Sequence, residues 1–246
     1  MAMTDPNARP PARKRPLIVR ASRELWRLAA DRRHRGVMWL FWRHPSGAFQ
    51  PFNDTAPDRY PRIFRFVQQA LGAQNKLRIL SFGCSTGEEA FSLRRYFPRA
   101  AIKGIDVNAA NIASARARLA RSPDAWLTFD VADSTAAEGD GAYDAIFAMA
   151  VLRHGSLGSP GVTRCDHLIR FADFAAAVED FSRCLKPGGL LVIRHSNFRL
   201  RDAPAGAAFE TVLRVPVDGK KRTPLFGPDN RLLPDAEYPD AVFRKR

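Results

Sequence analysis

The sequence predicts an α/β fold, a doubly wound and mostly parallel sheet with helices on both faces, preceded by a basic helical extension. Three observations predict it. From Lys76 onward, short apolar runs alternate with segments of helical period, the signature of βαβ units. The segment Leu168–Leu185 spaces Phe171, Phe174, Val178, Phe181 and Leu185 by three and four residues, which puts them on one helical face. The turn Gly83-Cys84-Ser85-Thr86-Gly87 follows the first run and opens into a helix, and small residues let a ligand come close to such a backbone.

In chain order, residues 1–16 combine Pro6, Pro10, Pro11 and Pro16 with Arg13-Lys14-Arg15, a composition that favours disorder. Leu17 to about Trp42 reads as one or two basic amphipathic helices with Leu25, Trp26, Leu28 and Ala29 on one side. Trp26, Trp39 and Trp42 suit either a membrane surface or docking on the chain's own domain. Residues 1–45 are therefore read as an extension and residues 46–246 as the domain, with its core at 76–200. Pro45–Pro61 reads as a loop and Ile63–Leu71 as a helix carrying Ile63, Phe64, Val67 and Leu71. Strands are expected at Arg78–Phe82, Ala101–Asp106, Trp126–Phe129, Asp144–Met149 and Leu190–His195, with helices at Glu88–Tyr96, Ala109–Ala120 and Leu168–Leu185. Ser85 and Glu88 fit a capping box for the first of these helices, and Lys186-Pro187-Gly188-Gly189 fits a stop for the last. Two further strands are expected at Phe209–Val217 and Ala241–Lys245.

Composition narrows the classes. Hydrophobic residues make up 46% and charged residues 26% of the 246, which is ordinary globular usage. No apolar run approaches the roughly 18–20 residues of a membrane span, and the start lacks a hydrophobic signal core, so the expected compartment is the cytoplasm. Cys84, Cys165 and Cys184 form neither a CxxC pair nor a disulfide framework and read as buried thiols. The five histidines lack ligand spacing, so no metal is expected. The net charge is +14, of which residues 1–50 hold +8, from eleven Lys/Arg against three Asp/Glu. Such an arm attracts nucleic acid, an acidic protein or an anionic membrane surface, or is a solvated tail.

The glycine turn is weak evidence for a ligand by itself. Corroboration comes from Asp106, which ends the second expected strand 23 positions after Gly83. An acid about 20 residues beyond such a turn lies at the tip of the neighbouring strand, where it accepts from ribose hydroxyls. The simpler roles for these residues are turn chemistry for Gly83 and Gly87 and a helix cap for Asp106.

The ordered set resembles the class I S-adenosylmethionine-dependent methyltransferases over roughly residues 76–200. Gly83-Cys84-Ser85-Thr86-Gly87 is similar to their glycine-rich motif, and Asp106 with Val107 to the ribose-binding strand end. Asp133 with Ser134 resembles the adenine contact, while Tyr143–Phe147 and Leu185–Ile193 resemble the fourth- and fifth-strand motifs. The resemblance implies a Rossmann-like seven-stranded sheet with an antiparallel last strand, S-adenosyl-L-methionine as cofactor, and Met149 at the fourth-strand exit in the cofactor site. Ser81 stands where this family commonly has Asp or Glu. The string Gly-Cys-Ser-Thr-Gly-Glu-Glu is similar to that of CheR-type protein-glutamate methyltransferases, although Ala150–His154 departs from their pattern.

A sulfonium methyl is already activated, so the protein supplies mainly positioning, with a base only where the acceptor must lose a proton. The candidate base is His154, at the fourth-strand exit. Arg153, Asp166, His167, His195 and Asn197 are further candidates at the substrate edge, while His34 and His44 read as surface residues. The favoured acceptor is a small molecule, with a protein glutamate or RNA as alternatives and a non-catalytic cofactor-binding module as a third. Gly83–Gly87 also satisfies G-x-S-x-G, the nucleophile elbow of an α/β-hydrolase with Ser85 as nucleophile. No His-Gly-Gly segment precedes it, which counts against that reading.

Overall fold

The computed structural model describes residues 49–50, 55–72, 76–217 and 223–246. The basic extension, its three tryptophans, His34 and His44 lie outside the described residues.

Seven strands form one sheet: β1 (Arg78–Phe82), β2 (Ala101–Asp106), β3 (Leu127–Val131), β4 (Tyr143–Met149), β5 (Leu185–Arg194), β6 (Phe209–Arg214) and β7 (Asp240–Lys245). Their spatial order is β3-β2-β1-β4-β5-β7-β6. The first five are mutually parallel, and β7 runs antiparallel between β5 and β6. The reversal of order between β1 and β4 makes a topological switch point, where open α/β sheets bind ligands beyond the carboxyl ends of their strands.

Alternation along each strand builds two cores. Ile79, Ala145, Phe147 and Val192 face helices α1 (Pro61–Leu71), α2 (Glu88–Tyr96) and α3 (Ala109–Arg121), meeting Phe64, Val67, Leu93 and Ile112. Leu80, Phe82, Ile146 and Leu191 face α4 (Phe171–Cys184), meeting Phe174, Val178 and Phe181. Both faces of a parallel sheet are thereby covered, which is why its strands read as continuous apolar runs.

Three expectations shift. Helix α4 starts at Phe171 rather than Leu168, because Asn230 Oδ1 accepts from Phe171 N at 2.7 Å while Leu168 and Ile169 donate to Cys165 O in a separate turn. Lys186–Gly189 is not a connecting loop but a bulge inside β5. Pairing jumps from Tyr143↔Leu185 to Ala145↔Leu190, Gly188 adopts φ +77°, and Lys186 Nζ binds Asp144 Oδ1 at 2.6 Å. The third expected strand moves to Leu127–Val131, leaving Trp126 exposed at the sheet edge.

Candidate functional site

Strand exits at the carboxyl edge build the site. Three non-glycine residues there hold left-handed backbone: Ser85 after β1 (φ +52°), Ala150 after β4 (φ +58°) and His195 after β5 (φ +55°). Each such conformation costs on the order of 1–3 kcal/mol and persists where the surroundings over-determine it, as they do at ligand sites. Gly83 (φ +69°) has a second constraint, since a Cβ there would lie 2.3 Å from Val151 Cγ2. The β1 turn and the β4 exit thus touch at a point where only glycine fits.

The capping box expected from Ser85 and Glu88 does not form. Gly87 caps α2 in left-handed conformation with no side-chain bond, and Glu88 Oε1 instead accepts from Arg118 at 2.8 Å. Ser85 Oγ is left buried without a partner. Nor does Asp106 cap α3; Asn108 does, accepting from Ala110 N at 2.9 Å. Asp106 instead ties the two turns together. Its Oδ2 accepts from Ser85 N at 2.8 Å, and its Oδ1 accepts from Asn108 N at 2.8 Å and Asn111 Nδ2 at 3.2 Å. Burial raises this carboxyl above the usual range, against the downward pull of the Asn108 and Ser85 N–H groups. A carboxylate has about four acceptor positions, so Oδ2 retains capacity for a ligand hydroxyl.

A cleft of about 710 Å³ opens over these tips, lined by Gly83, Cys84, Ser85, Asp106, Val107 and Met149 on the sheet side and roofed by Gln50, Thr55, Ala56, Arg59 and Tyr60. A recess of about 310 Å³ continues past Gly83 and Asp106 to Val107, Ala132 and Asp133. Ser134 lines a further cavity with Asp133, Phe82 and Phe181. Thr86 and Gly87 do not line the cleft; Gly87 N donates to Cys84 O and fixes the turn from behind.

Three buried polar atoms in this cleft lack partners, Tyr60 Oη, Ser85 Oγ and Asn108 Nδ2. Buried polar atoms are nearly always satisfied, so each marks a place for a ligand's polar group. Ser85 Oγ and Asn108 Nδ2, together with the Gly83 cradle and the Asp106 carboxylate, fit the ribose and amino-acid portions of an adenosyl cofactor.

Sequence reading missed one acid. Glu89, on the first turn of α2, lines the cleft and accepts from Ser81 Oγ at 2.7 Å. Burial pushes its carboxyl up to about 7, against the pull of the Ser81 bond and the Arg59 charge. The signal was available: Ser81 occupies the place of an expected acid, and the acid arrives from one helical turn further along. Tyr60, Arg59, Asn108 and Asn111 were also missed, because the roof and the α3 cap carry no motif.

His154 is buried and does not line the cleft, although its neighbours Ala150 and Val151 do. Its Nδ1 accepts from Ser156 N at 3.3 Å, capping the short 3-10 turn Gly155–Gly158, and its backbone N donates to Asn197 Oδ1. Asn197 is likewise engaged in holding the fold, donating to Pro224 O at 2.7 Å. Asp166 pairs with Arg164 at the surface, and His167 is exposed. All three cysteines are free and buried. Among the described residues no group of His, Cys, Asp and Glu could hold a metal, and no helix is long and apolar enough to cross a membrane.

Comparison with known proteins agrees with this geometry. Residues 80–191 match a family model described as a methyltransferase domain. No curated protein matches the sequence. Solved structures that resemble the chain include the YcgJ protein of Bacillus subtilis, 16% identical over 55% of this chain and 50% of that one, TM-score 0.41. Another is phosphoethanolamine N-methyltransferase 2 of Haemonchus contortus with S-adenosyl-L-methionine, 20% identical over 64% and 31%, TM-score 0.43. A third is geranyl diphosphate C-methyltransferase of Streptomyces coelicolor A3(2) with Mg2+, geranyl diphosphate and S-adenosyl-L-homocysteine, 18% identical over 54% and 43%, TM-score 0.41. The chain spans about half the length of the first of these and less of the other two. Residues 80–191, a little under half of the chain, are thus similar to a methyltransferase domain, a kind of domain that uses S-adenosylmethionine.

Proposed function

We propose that the chain transfers the methyl group of S-adenosylmethionine to a small-molecule acceptor. The observation that carries this reading is the convergence of Ser85 Oγ, Asn108 Nδ2 and the Glu89 carboxyl on one cleft at the switch point. A small acceptor is favoured because Thr55, Ala56, Arg59 and Tyr60 also line the cleft, which limits what can reach the sheet edge.

The bound cofactor supplies a methyl group on a positively charged sulfur, and the residues of this chain do the rest. Asp106 accepts from ribose hydroxyls, with Val107 and Asp133 beside the adenine. Glu89 faces the cationic end of the cofactor and takes the role of the acid absent at Ser81. Gly83 and Val151 set how closely the backbone approaches. Tyr60 and Phe64, which line the cleft, help keep water from the transfer, which otherwise needs only alignment. His154, an expected base, is assigned to capping the turn after β4, since its Nδ1 already accepts a hydrogen bond.

Calorimetry with S-adenosylhomocysteine, followed by radiolabelled S-adenosylmethionine with cell extract split into protein, RNA, lipid and metabolite fractions, tests the proposal. Label in the metabolite fraction is expected. Absence of cofactor binding overturns the whole reading, and label confined to protein or RNA overturns the acceptor class.

A further inference from the structure

A second cavity lies at the same edge of the sheet, beyond β5. It is lined by Arg194, His195, Ser196, Val217, Thr223, Leu225 and Tyr238, among others. Its residues come from the carboxyl end of β5, the segment after β6 and the approach to β7, so it flanks the cofactor cleft. One wall is shared: the Tyr60 ring, which lines the cleft, lies 5.9 Å from the His195 ring, which lines the cavity.

The unusual group here is Arg194. It is buried at the last position of β5, and its partners are two carbonyls, Pro216 O at 2.8 Å and Tyr238 O at 3.4 Å. It makes no ion pair with a described carboxylate. Asp240, in the same cavity, is held by Arg214 at 2.8 Å. A guanidinium carries five donors and is never neutral, so burial without a counter-ion is costly unless an anion arrives. Desolvation lowers its proton affinity, and the Tyr60 side chain lies near enough to act on it. The Tyr60 hydroxyl is the buried atom without a partner noted above. Arg59 and Arg153 act on it as well, against the single acid Glu89. Burial keeps Tyr60 protonated to about 12, so it remains a donor. A fork of charged donors lining the cavity and a neutral hydroxyl on the adjoining cleft, separated by the wall where Tyr60 meets His195, are the chemistry of an oxyanion site.

We infer that this cavity takes the methyl acceptor, and that the acceptor is a small molecule bearing an oxyanion, a carboxylate or a phosphate, held by Arg194 and the Tyr60 hydroxyl. The inference rests on the methyltransferase reading, since the cavity matters as an acceptor site only beside a cofactor cleft.

The test is calorimetry on the full chain saturated with S-adenosylhomocysteine, titrated with inorganic phosphate, with succinate, and with sodium chloride as an ionic-strength control. Binding of phosphate or succinate at one site, with no response to chloride, is expected; which of the two binds distinguishes a phosphate ester from a carboxylic acid. Arg194→Gln should weaken that binding by roughly tenfold or more, as for a lost hydrogen bond to a charged group. Tyr60→Phe, which removes only an oxygen without a partner, should weaken it several-fold and leave folding intact, a safeguard should Arg194→Gln loosen the segments whose carbonyls it holds. Affinity for S-adenosylhomocysteine should stay within about threefold in both variants, well below the loss of a charge-assisted bond. Binding of neither oxyanion, or unchanged binding in Tyr60→Phe and in folded Arg194→Gln, overturns the inference. So does a parallel loss of cofactor affinity, which would assign these groups to the cofactor's own carboxylate. A wild-type chain that does not bind S-adenosylhomocysteine at all overturns the cofactor reading first.

Discussion

Replacing Glu89 by Gln should make the ligand-free protein more stable while making it a poorer cofactor binder. The carboxyl is held at about 7 against an ordinary 4.5, chiefly by burial. The folded state therefore keeps its proton over a range where the unfolded chain has lost it, and stability falls as pH rises from 4.5 through 7. A displacement of that size corresponds to about 3 kcal/mol, at roughly 1.4 kcal/mol per pH unit. Glutamine keeps the bond from Ser81 Oγ and the shape but has no proton to lose. Urea unfolding at pH 5 and pH 8 should show wild type losing about 2 kcal/mol relative to Glu89→Gln across that interval, most of the displacement being expressed there. The groups facing Glu89 are Ser81 from β1, Cys84 from the turn, and Arg59 and Tyr60 from the roof. Of these, burial holds Cys84 and Tyr60 above the interval. Cofactor binding should run the other way. A cation selects the ionised carboxylate, so affinity for S-adenosylhomocysteine should rise through pH 7 in wild type, and Glu89→Gln should lose about tenfold or more at pH 8. Parallel stability profiles for the two proteins, or equal cofactor affinity, would refute the reasoning.

Other substitutions probe the remaining parts of the site. Asp106→Ala leaves Ser85 N, Asn108 N and Asn111 Nδ2 without their acceptor, so melting should report a loss of about 3 kcal/mol or more. Any folded fraction should bind S-adenosylhomocysteine at least tenfold more weakly, as the ribose loses an ionised acceptor, and retained affinity contradicts the ribose assignment. Gly83→Ala meets Val151 Cγ2 at 2.3 Å in a left-handed backbone and should cost about 2 kcal/mol or more in chemical denaturation. Adding Val151→Ala should recover part of that loss, and no recovery would mean that the clash is not the cause. Asn230→Gly keeps the left-handed conformation (φ +62°) while removing the acceptor of Phe171 N. About 1 kcal/mol of stability should go, read as a lower urea midpoint; no change would show that water caps α4 equally well.

What could be read from the sequence divides along a physical line. Strands β1 and β2 and helix α2 fall where periodicity put them, because their apolar residues are pinned on both sides by packing. Asp106 was legible for the same reason: a strand end and a glycine turn are local signals at a known separation. Glu89, Tyr60 and Arg194 were not, since what distinguishes them is burial beside segments distant in sequence, which the order of residues does not state. The Lys186–Gly189 bulge shows a different limit. Breakers reliably mark an interruption, yet whether the chain leaves the sheet or bulges within it depends on the strand alongside. His154 was chosen for its position after β4, and Ser156 N had a prior claim on its ring.

Strand β7 lies between β5 and β6, and β6 pairs only with β7. Strand β6 therefore has no sheet to join until Asp240–Lys245 slots in beside Leu190–Val192. The wall carrying Thr223 and Tyr238 thus depends on the final strand, whereas β1 to β5 pair with one another without it. A truncation ahead of Asp240 would leave the five parallel strands intact but take the support from β6 and from the wall beyond β5.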